Sequence, residues 1–362
     1  MKILDRYVLL EFIRYFFAAL AALALVFFIA EYLRGTWDGA EISPLLLLKY
    51  NLYEMPQTLC RMVPPAAMLG TAITLSLLNR KNELTAMHAA GIGLTHVAAL
   101  IFGAIFIACC LTLVMYDRVV PPMARSKTMY YWHVIKNRPD FTMDIKTSKI
   151  WYRSKNYIYN LRVYDKKTAT IQGIGIYFFD NNFRLAQHVE AKTARYDEQN
   201  SEWDLRNGML TVFPENSAFP LSKHFEEKRL SLPETPKDFL EIEKQVETLR
   251  LKDLLTFIKR NKEAGLDTKT YEVDFHSRVA VSFIPLIMGL LAVPYSVRPK
   301  RQGGLGKDLA VCIGWIFSYW LLFSLSLSLG RSGAVDPAVA VWVPCILFFV
   351  AAVMLVFKGR TT

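Results

Sequence analysis

Apolar residues gather at the two ends of the chain and thin out in the middle. Six runs, at about 15–33, 58–78, 95–116, 276–297, 309–329 and 338–357, approach the length of about 20 residues needed to cross a bilayer. The second is the weakest, because Arg61, Pro64 and Pro65 interrupt its outer end. Between the third and fourth runs, from about Val119 to Asp274, the pattern turns polar and aromatic. Alternation with a period of two predicts strands at Lys149–Arg153, Tyr157–Tyr164, Ile171–Phe179, Leu185–Tyr196, Trp203–Phe213 and Phe225–Leu232. Turn residues fall at Asp165-Lys166-Lys167, Asp180-Asn181-Asn182, Asp197-Glu198-Gln199-Asn200 and Asn207-Gly208. Helical patterns flank the strands at Pro122–Lys136 and at Leu249–Ala264, the second closed by Gly265.

Short antiparallel strands at this density imply a sandwich, a jelly roll or an open barrel. The expected fold is therefore a polytopic α-helical membrane protein of six transmembrane helices, three before and three after an inserted β-domain. The segments are 1–118, 119–274 and 275–362.

The first run follows a basic start and is too long for the core of a cleaved signal peptide, so it reads as an uncleaved first span. Short loops set the orientation. One side of the membrane collects Lys2, Arg6, Arg14, Arg80, Lys81, Arg298, Lys300, Arg301, Lys307, Lys358 and Arg360, whereas the other holds Arg34, Lys49, Arg61 and Arg331. Basic residues favour the cytoplasm, which places both termini there and the central domain outside, in the periplasm of a bacterium.

Composition narrows the class. Of 362 residues, 53% are apolar, which excludes an ordinary soluble enzyme. The net charge of +11 lies largely in loops beside apolar runs, so it points to a membrane surface and not to nucleic acid. All five cysteines (Cys60, Cys109, Cys110, Cys312 and Cys345) fall in or beside apolar runs without C-x-x-C spacing. Neither a disulfide framework nor a zinc site is encoded. The six histidines show no metal spacing and no G-x-S-x-G is present, so no catalytic set emerges. The stretch Arg298–Leu309 imitates a phosphate loop, but Arg301 stands where glycine is required and Asp308 where serine or threonine is required.

Two places invite function. In Asn79–Gly93, Asn82 can cap and Gly91 can end a short helix that carries Glu83, Leu84, Met87 and His88. Leu84, Met87 and His88 would share one face, suited either to a plain linking turn or to a partner's groove. At the outer membrane edge, Glu31, Arg34, Glu54, Arg61, Asp117, Arg118, Asp274, His276 and Arg278 gather. They serve as interfacial anchors or, through arginine, as an anionic headgroup site.

This layout resembles the lipopolysaccharide export permeases of the LptF/LptG family across essentially the whole chain. The resemblance rests on Leu4-Asp5-Arg6-Tyr7, on Asn82-Glu83-Leu84 with Met87-His88-Ala89-Ala90-Gly91, and on Ile174-Gly175-Ile176-Tyr177 with Tyr196-Asp197-Glu198 and Trp203. The β-domain and the opening are more like the LptG branch. Val293-Pro294, Pro299-Lys300-Arg301-Gln302-Gly303 and Asp336-Pro337 are equally like the sister LptF branch.

The resemblance implies a non-catalytic subunit of an ABC transporter, with no cofactor of its own and ATP bound by a partner LptB dimer. It implies extraction of lipopolysaccharide from the inner membrane and delivery towards LptC and LptA through a β-jelly-roll edge, beside a sister permease. Glu83, Leu84, Met87 and His88 would couple to the ATPase. Arg34, Arg61 and Arg278 would meet the headgroup, although Glu31 beside Arg34 departs from a purely basic rim. Phe27, Phe28, Phe317 and Leu321 would line an acyl-chain cavity. Each CH₂ of an acyl chain moved into water costs about 0.8 kcal/mol, so extraction needs outside energy. The competing readings are a membrane-anchored envelope enzyme, which would need a catalytic set within 149–232, and a secondary transporter with midplane charges.

Overall fold

A computed structural model describes residues 2–37, 43–135, 142–146, 149–153, 157–165, 170–180, 184–197, 202–214, 219–231, 249–263, 267–297 and 305–360. The chain divides into two compact units, one of residues 1–123 with 269–362 and one of residues 124–268.

Helices dominate the first unit: α1 (Lys2–Trp37), α2 (Pro44–Arg80), α3 (Glu83–Ala89) and α4 (Leu94–Val114). A π-helical turn (Met115–Val119), α5 (Val120–Tyr130) and a second π turn (Tyr131–Ile135) continue α4 towards the second unit. After α6 (Leu251–Glu263) of that unit come α7 (Lys269–Ser296), α8 (Leu305–Ser332) and α9 (Pro337–Arg360). Six helical segments are long and apolar enough to span a membrane: Ile3–Arg34, Pro44–Arg80, Leu94–Ile135, Lys269–Ser296, Gly306–Ser332 and Pro337–Lys358.

The second span, the weakest of the six in sequence, is one unbroken helix. Pro56, Pro64 and Pro65 all lie inside a continuous α2 of 37 residues. Pro64 and Pro65 are buried, as are the neighbouring Val63, Ala66 and Ala67. Neighbouring helices can cover the backbone groups a proline frees, and α2 packs on α1, α7 and α8.

Two packing clusters meet on α2 and α7. Val8, Phe12 and Phe16 of α1 join Leu75 and Leu78 of α2, Met87 of α3, Val97, Ile101 and Ile105 of α4, and Val293 of α7. Met68 and Ala72 of α2 join Ile284, Met288 and Leu291 of α7, Tyr319 and Phe323 of α8, and Val341 and Phe348 of α9. Gly70 lets the backbones of α1 and α2 come close: a Cβ there would lie 2.9 Å from the Phe16 Cα.

In the second unit, seven antiparallel strands form one sheet in the order β1 to β7, the jelly-roll-like part of the fold. They are β1 (Thr142–Lys146), β2 (Lys149–Arg153), β3 (Tyr157–Asp165), β4 (Thr170–Phe179), β5 (Leu185–Asp197), β6 (Glu202–Val212) and β7 (Leu221–Leu230). Strand β1 was not among the expected strands, although Thr-Met-Asp-Ile-Lys alternates polar and apolar positions; at five residues its signal is short. Of the predicted turns, residues 166–167, 181–182 and 198–200 lie outside the described residues.

The fourth turn is corrected. Asn207 and Gly208 lie inside β6, and Asn207 adopts φ 50°. The ladder skips one row that crosses four strand pairs: Arg162 opposite Gly173, Gly173 opposite Lys192, Lys192 opposite Asn207, and Asn207 opposite Glu226. Gly173 in that row has φ 66°, a conformation open to glycine without steric cost. Buried positions are spaced by three across the row, Ile171 to Ile174, Ala191 to Ala194 and Leu205 to Gly208, where a regular strand would show two. A lone slip would turn one strand's core residues outward. Here adjacent strands slip together, so the register continues unbroken and the inner face stays apolar. Along it lie Tyr159, Leu161, Ile174, Ile176, Val189 and Trp203, with Trp132 of the second π turn packed among them.

Candidate functional site

Seven residues are too few to hold a helix in water by propensity alone, so α3 depends on what its turns and side chains fasten. Asn82 precedes it in a left-handed conformation, φ 62°, and its side chain does not cap the helix. That corrects the expected N-cap: asparagine is used here for its tolerance of left-handed backbone. Gly91, φ 82°, closes the other end. Gly91 N–H donates to the carbonyl of His88 at 3.0 Å and Ile92 N–H to that of Met87 at 2.9 Å, which is the paired bonding of a Schellman motif.

The expected common face of Leu84, Met87 and His88 divides between inside and outside. Met87 is buried among Val8, Leu78 and Val97, Leu84 is half-buried against the same cluster, and His88 is exposed. Glu83 is half-buried and engaged within the chain. The Tyr7 hydroxyl donates to its Oε2 at 3.0 Å, and the Lys81 ammonium lies 4.0 Å from its Oε1. Just past α3, His96 Nε2 sits 2.9 Å from Asp5 Oδ1. The outward surface of α3 is therefore Thr85, Ala86, His88 and Ala89. Tyr7, Asp5 and His96 carry no signal in local periodicity that would join them to residues about 76 and 91 positions away, and only Leu4-Asp5-Arg6-Tyr7 as a motif pointed towards them.

At the other end of the spans, the structure joins two of the three rim arginines. Arg61 and Arg278 both lie within electrostatic reach of the buried phenol of Tyr116. Tyr116 belongs to the π turn after α4, and such turns recur at functional positions. Arg34 stands apart. It is exposed and lies 3.4 Å from Glu31, one helical turn earlier. Such a pair contributes only about 0.3–0.5 kcal/mol, which leaves Arg34 free to exchange partners. A further outer pair joins Arg331 to Asp274 at 2.8 Å.

The four residues expected along an acyl-chain cavity are not gathered by this chain's own packing. Phe27, Phe317 and Leu321 are exposed and Phe28 is half-buried. Inner residues of α1 pack with α2, α3 and α4, whereas those of α8 pack with α2, α7 and α9. A cavity lined by both pairs would need a second surface. All five cysteines are free, and only Cys110 is exposed. Among the described residues, no cluster of His, Cys, Asp or Glu could hold a metal ion.

Comparison with known proteins decides what this arrangement belongs to. A family model described as "Lipopolysaccharide export system permease LptF/LptG" matches residues 6–358. The chain belongs to this family. It is 23% identical over 324 residues to lipopolysaccharide export system permease protein LptG of Escherichia coli strain K12, covering 85% of this chain and 84% of that protein. It is 22% identical over 372 residues to the protein of the same name from Haemophilus influenzae strain Rd, covering 99% of each. Six apolar helices and the permease family make it a multi-pass inner-membrane protein, and the family name assigns it a transport role in lipopolysaccharide export.

Proposed function

We propose that this permease is the LptG-type subunit of an ABC transporter that lifts lipopolysaccharide out of the inner membrane, driven by ATP hydrolysis in a separate LptB dimer. The names of its relatives favour LptG over the sister LptF. The observation that carries the reading is α3. It is a short helix between two spans, fastened on its inner side by Leu84 and Met87, with Thr85, Ala86, His88 and Ala89 turned outward. Helices of this kind dock into a partner's groove through a few small or apolar anchors.

The contacts of Tyr7 with Glu83 and of Asp5 with His96 keep α3 at the same end of the spans as the start of α1. The basic loop residues of that end favour the cytoplasm, where an ATPase would act, and leave the sheet unit on the periplasmic side. The chain supplies no cofactor chemistry of its own in this scheme. Energy arrives through α3.

Phe27 and Phe28 on α1, with Phe317 and Leu321 on α8, would enclose acyl chains once a sister permease faces them. Arg34, Arg61 and Arg278 would meet the phosphorylated headgroup, where an arginine fork suits phosphate oxygens. The sheet edges at β1 and β7 would pass substrate on to LptC and LptA by strand addition.

The test is Ala89→Glu on the outward face of α3. Co-purification of the ATPase with the permease should fall about tenfold, since a charge pressed into an apolar groove costs more than 1.4 kcal/mol. Undiminished co-purification defeats the docking reading. A charge at buried Met87 would report on folding instead. Arg34→Glu should lower photocrosslinking of lipopolysaccharide at neighbouring positions by about threefold, the scale of one exposed charge contact. Unchanged crosslinking reduces Arg34 to an interfacial anchor.

A further inference from the structure

We infer that the first two turns of α1 clamp the docking helix and the start of the span that follows it, and that Asp5 and Tyr7 are positioning residues which make α1 move with α3. This rests on the reading of α3 as the helix that receives the ATPase.

Tyr7 holds the start of α3 through Glu83 at 3.0 Å, and Asp5 holds the first turn of α4 through His96 at 2.9 Å. Residues two apart on a helix face different sides, so the turn is gripped from two directions. Between these polar contacts, Leu4, Tyr7 and Val8 pack in one cluster with Leu84, Met87 and Ile92.

The clamp has a mechanical consequence. The turns that tie α3 to its flanking spans each hold one left-handed residue, Asn82 at φ 62° and Gly91 at φ 82°. A push on α3 alone could be absorbed by rotation at those two turns. Fastened at Glu83 and His96, the same push passes into α1. That helix is continuous for 36 residues. At 1.5 Å per residue it is a rod of roughly 54 Å, long enough to carry a displacement through a bilayer of about 30 Å. Its far half bears Phe27, Phe28 and Arg34, the residues proposed to meet lipid. Tyr7 and Asp5 thus act on substrate residues at the opposite end of their own helix without touching either substrate or nucleotide.

The experiment uses the whole transporter, permease pair with ATPase, in proteoliposomes containing lipopolysaccharide. It records ATPase co-purification, unstimulated hydrolysis, and lipopolysaccharide released to an acceptor per ATP consumed. Tyr7→Phe removes one hydroxyl and keeps the ring. Assembly and unstimulated hydrolysis should stay within about twofold, while lipid released per ATP falls about fivefold, the scale of one hydrogen bond to a charged and partly exposed group.

Glu83→Gln, which leaves a weaker, uncharged acceptor, combined with Tyr7→Phe should be no worse than the worse single change, because both act on one contact. His96→Ala should lose release per ATP in the same way, and His96→Gln, which keeps a donor towards Asp5, should restore it. Full release per ATP in Tyr7→Phe, additive losses in the double variant, or no rescue by glutamine would each overturn the clamp. Ala89→Glu separates this from the underlying reading. If that variant keeps its ATPase, the docking reading has failed. If it loses the ATPase while Tyr7→Phe releases lipid normally, the clamp alone has failed.

Discussion

Replacing Trp203 with alanine is expected to destabilise the sheet unit by about 3–5 kcal/mol, the cost of emptying a buried aromatic site. Trp203 is fully buried on β6, opposite Tyr196 of β5 and Leu230 of β7. Its ring lies 5.1 Å from that of Tyr196, and its cluster includes Tyr159, Leu161 and Trp132. Its paired neighbours come from β5 and β7, and the cluster around it extends to β3 and the second π turn, so the space left behind has little freedom to collapse. Trp203→Phe retains an aromatic ring and should cost less, about 1.5 kcal/mol. Pulse proteolysis of the full-length protein in detergent reads the difference. Residues 124–268 should become protease-sensitive at lower denaturant in the alanine variant, with phenylalanine between it and the parent. Equal protection in all three would mean that the sheet does not depend on this side chain.

A comparable loss is expected in the helical unit from Gly70→Leu, which forces α1 away from α2. The first added carbon would sit 2.9 Å from the Phe16 Cα, and backbone cannot swing aside as a flexible side chain can. Overpacking of this kind costs about 1–3 kcal/mol for a small insertion, so Gly70→Ala belongs in that range and Gly70→Leu at or beyond its upper end. Gly103 of α4 is the control. A Cβ there meets nothing within 4 Å, so Gly103→Ala should leave stability unchanged or raise it. Thermal unfolding in detergent should order the variants as Gly103→Ala, parent, Gly70→Ala, Gly70→Leu, from most to least stable. If Gly70→Leu unfolds with the parent, α1 and α2 are not in the contact described.

The family places these effects in a transport context, but they follow from packing alone. Coupling is where sequence reading and structure differ most. Glu83 looked like a residue offered to a partner because it opens a short loop helix between two spans. Its carboxylate instead accepts from Tyr7, which starts the first span. Met87 was expected to share a face with Leu84 and His88, yet it is buried and anchors α3 from within. A docking surface and an anchoring surface look alike when written as a seven-residue string, since both need apolar residues at helical spacing.

Much was legible from local pattern. Apolar runs of spanning length announced six membrane helices, because a backbone in hydrocarbon must satisfy its own hydrogen bonds. Period-two alternation located β2 to β7 to within a few residues, because alternate side chains of a strand face opposite sides. Gly91 also announced itself as the left-handed end of α3, whereas Asn82, expected as a side-chain cap, marks the helix start through a left-handed backbone instead.

Tertiary structure decided the rest. Proline looked like an interruption of the second span until the neighbours of Pro64 and Pro65 showed that α2 runs through them. Asn207-Gly208 looked like a turn, yet β6 passes through it because β4, β5 and β6 all slip along one row. So it is with α3. Its existence between two spans, bounded by Asn82 and Gly91, was fixed by residues within a dozen positions of one another. Which of its faces is free was fixed by Tyr7 and Val8, which meet it only when the first span packs against the third, where Asp5 meets His96. Local periodicity reports what a segment can become. Contacts between residues 76 and 91 positions apart report what it is fastened to, and no local pattern contains that.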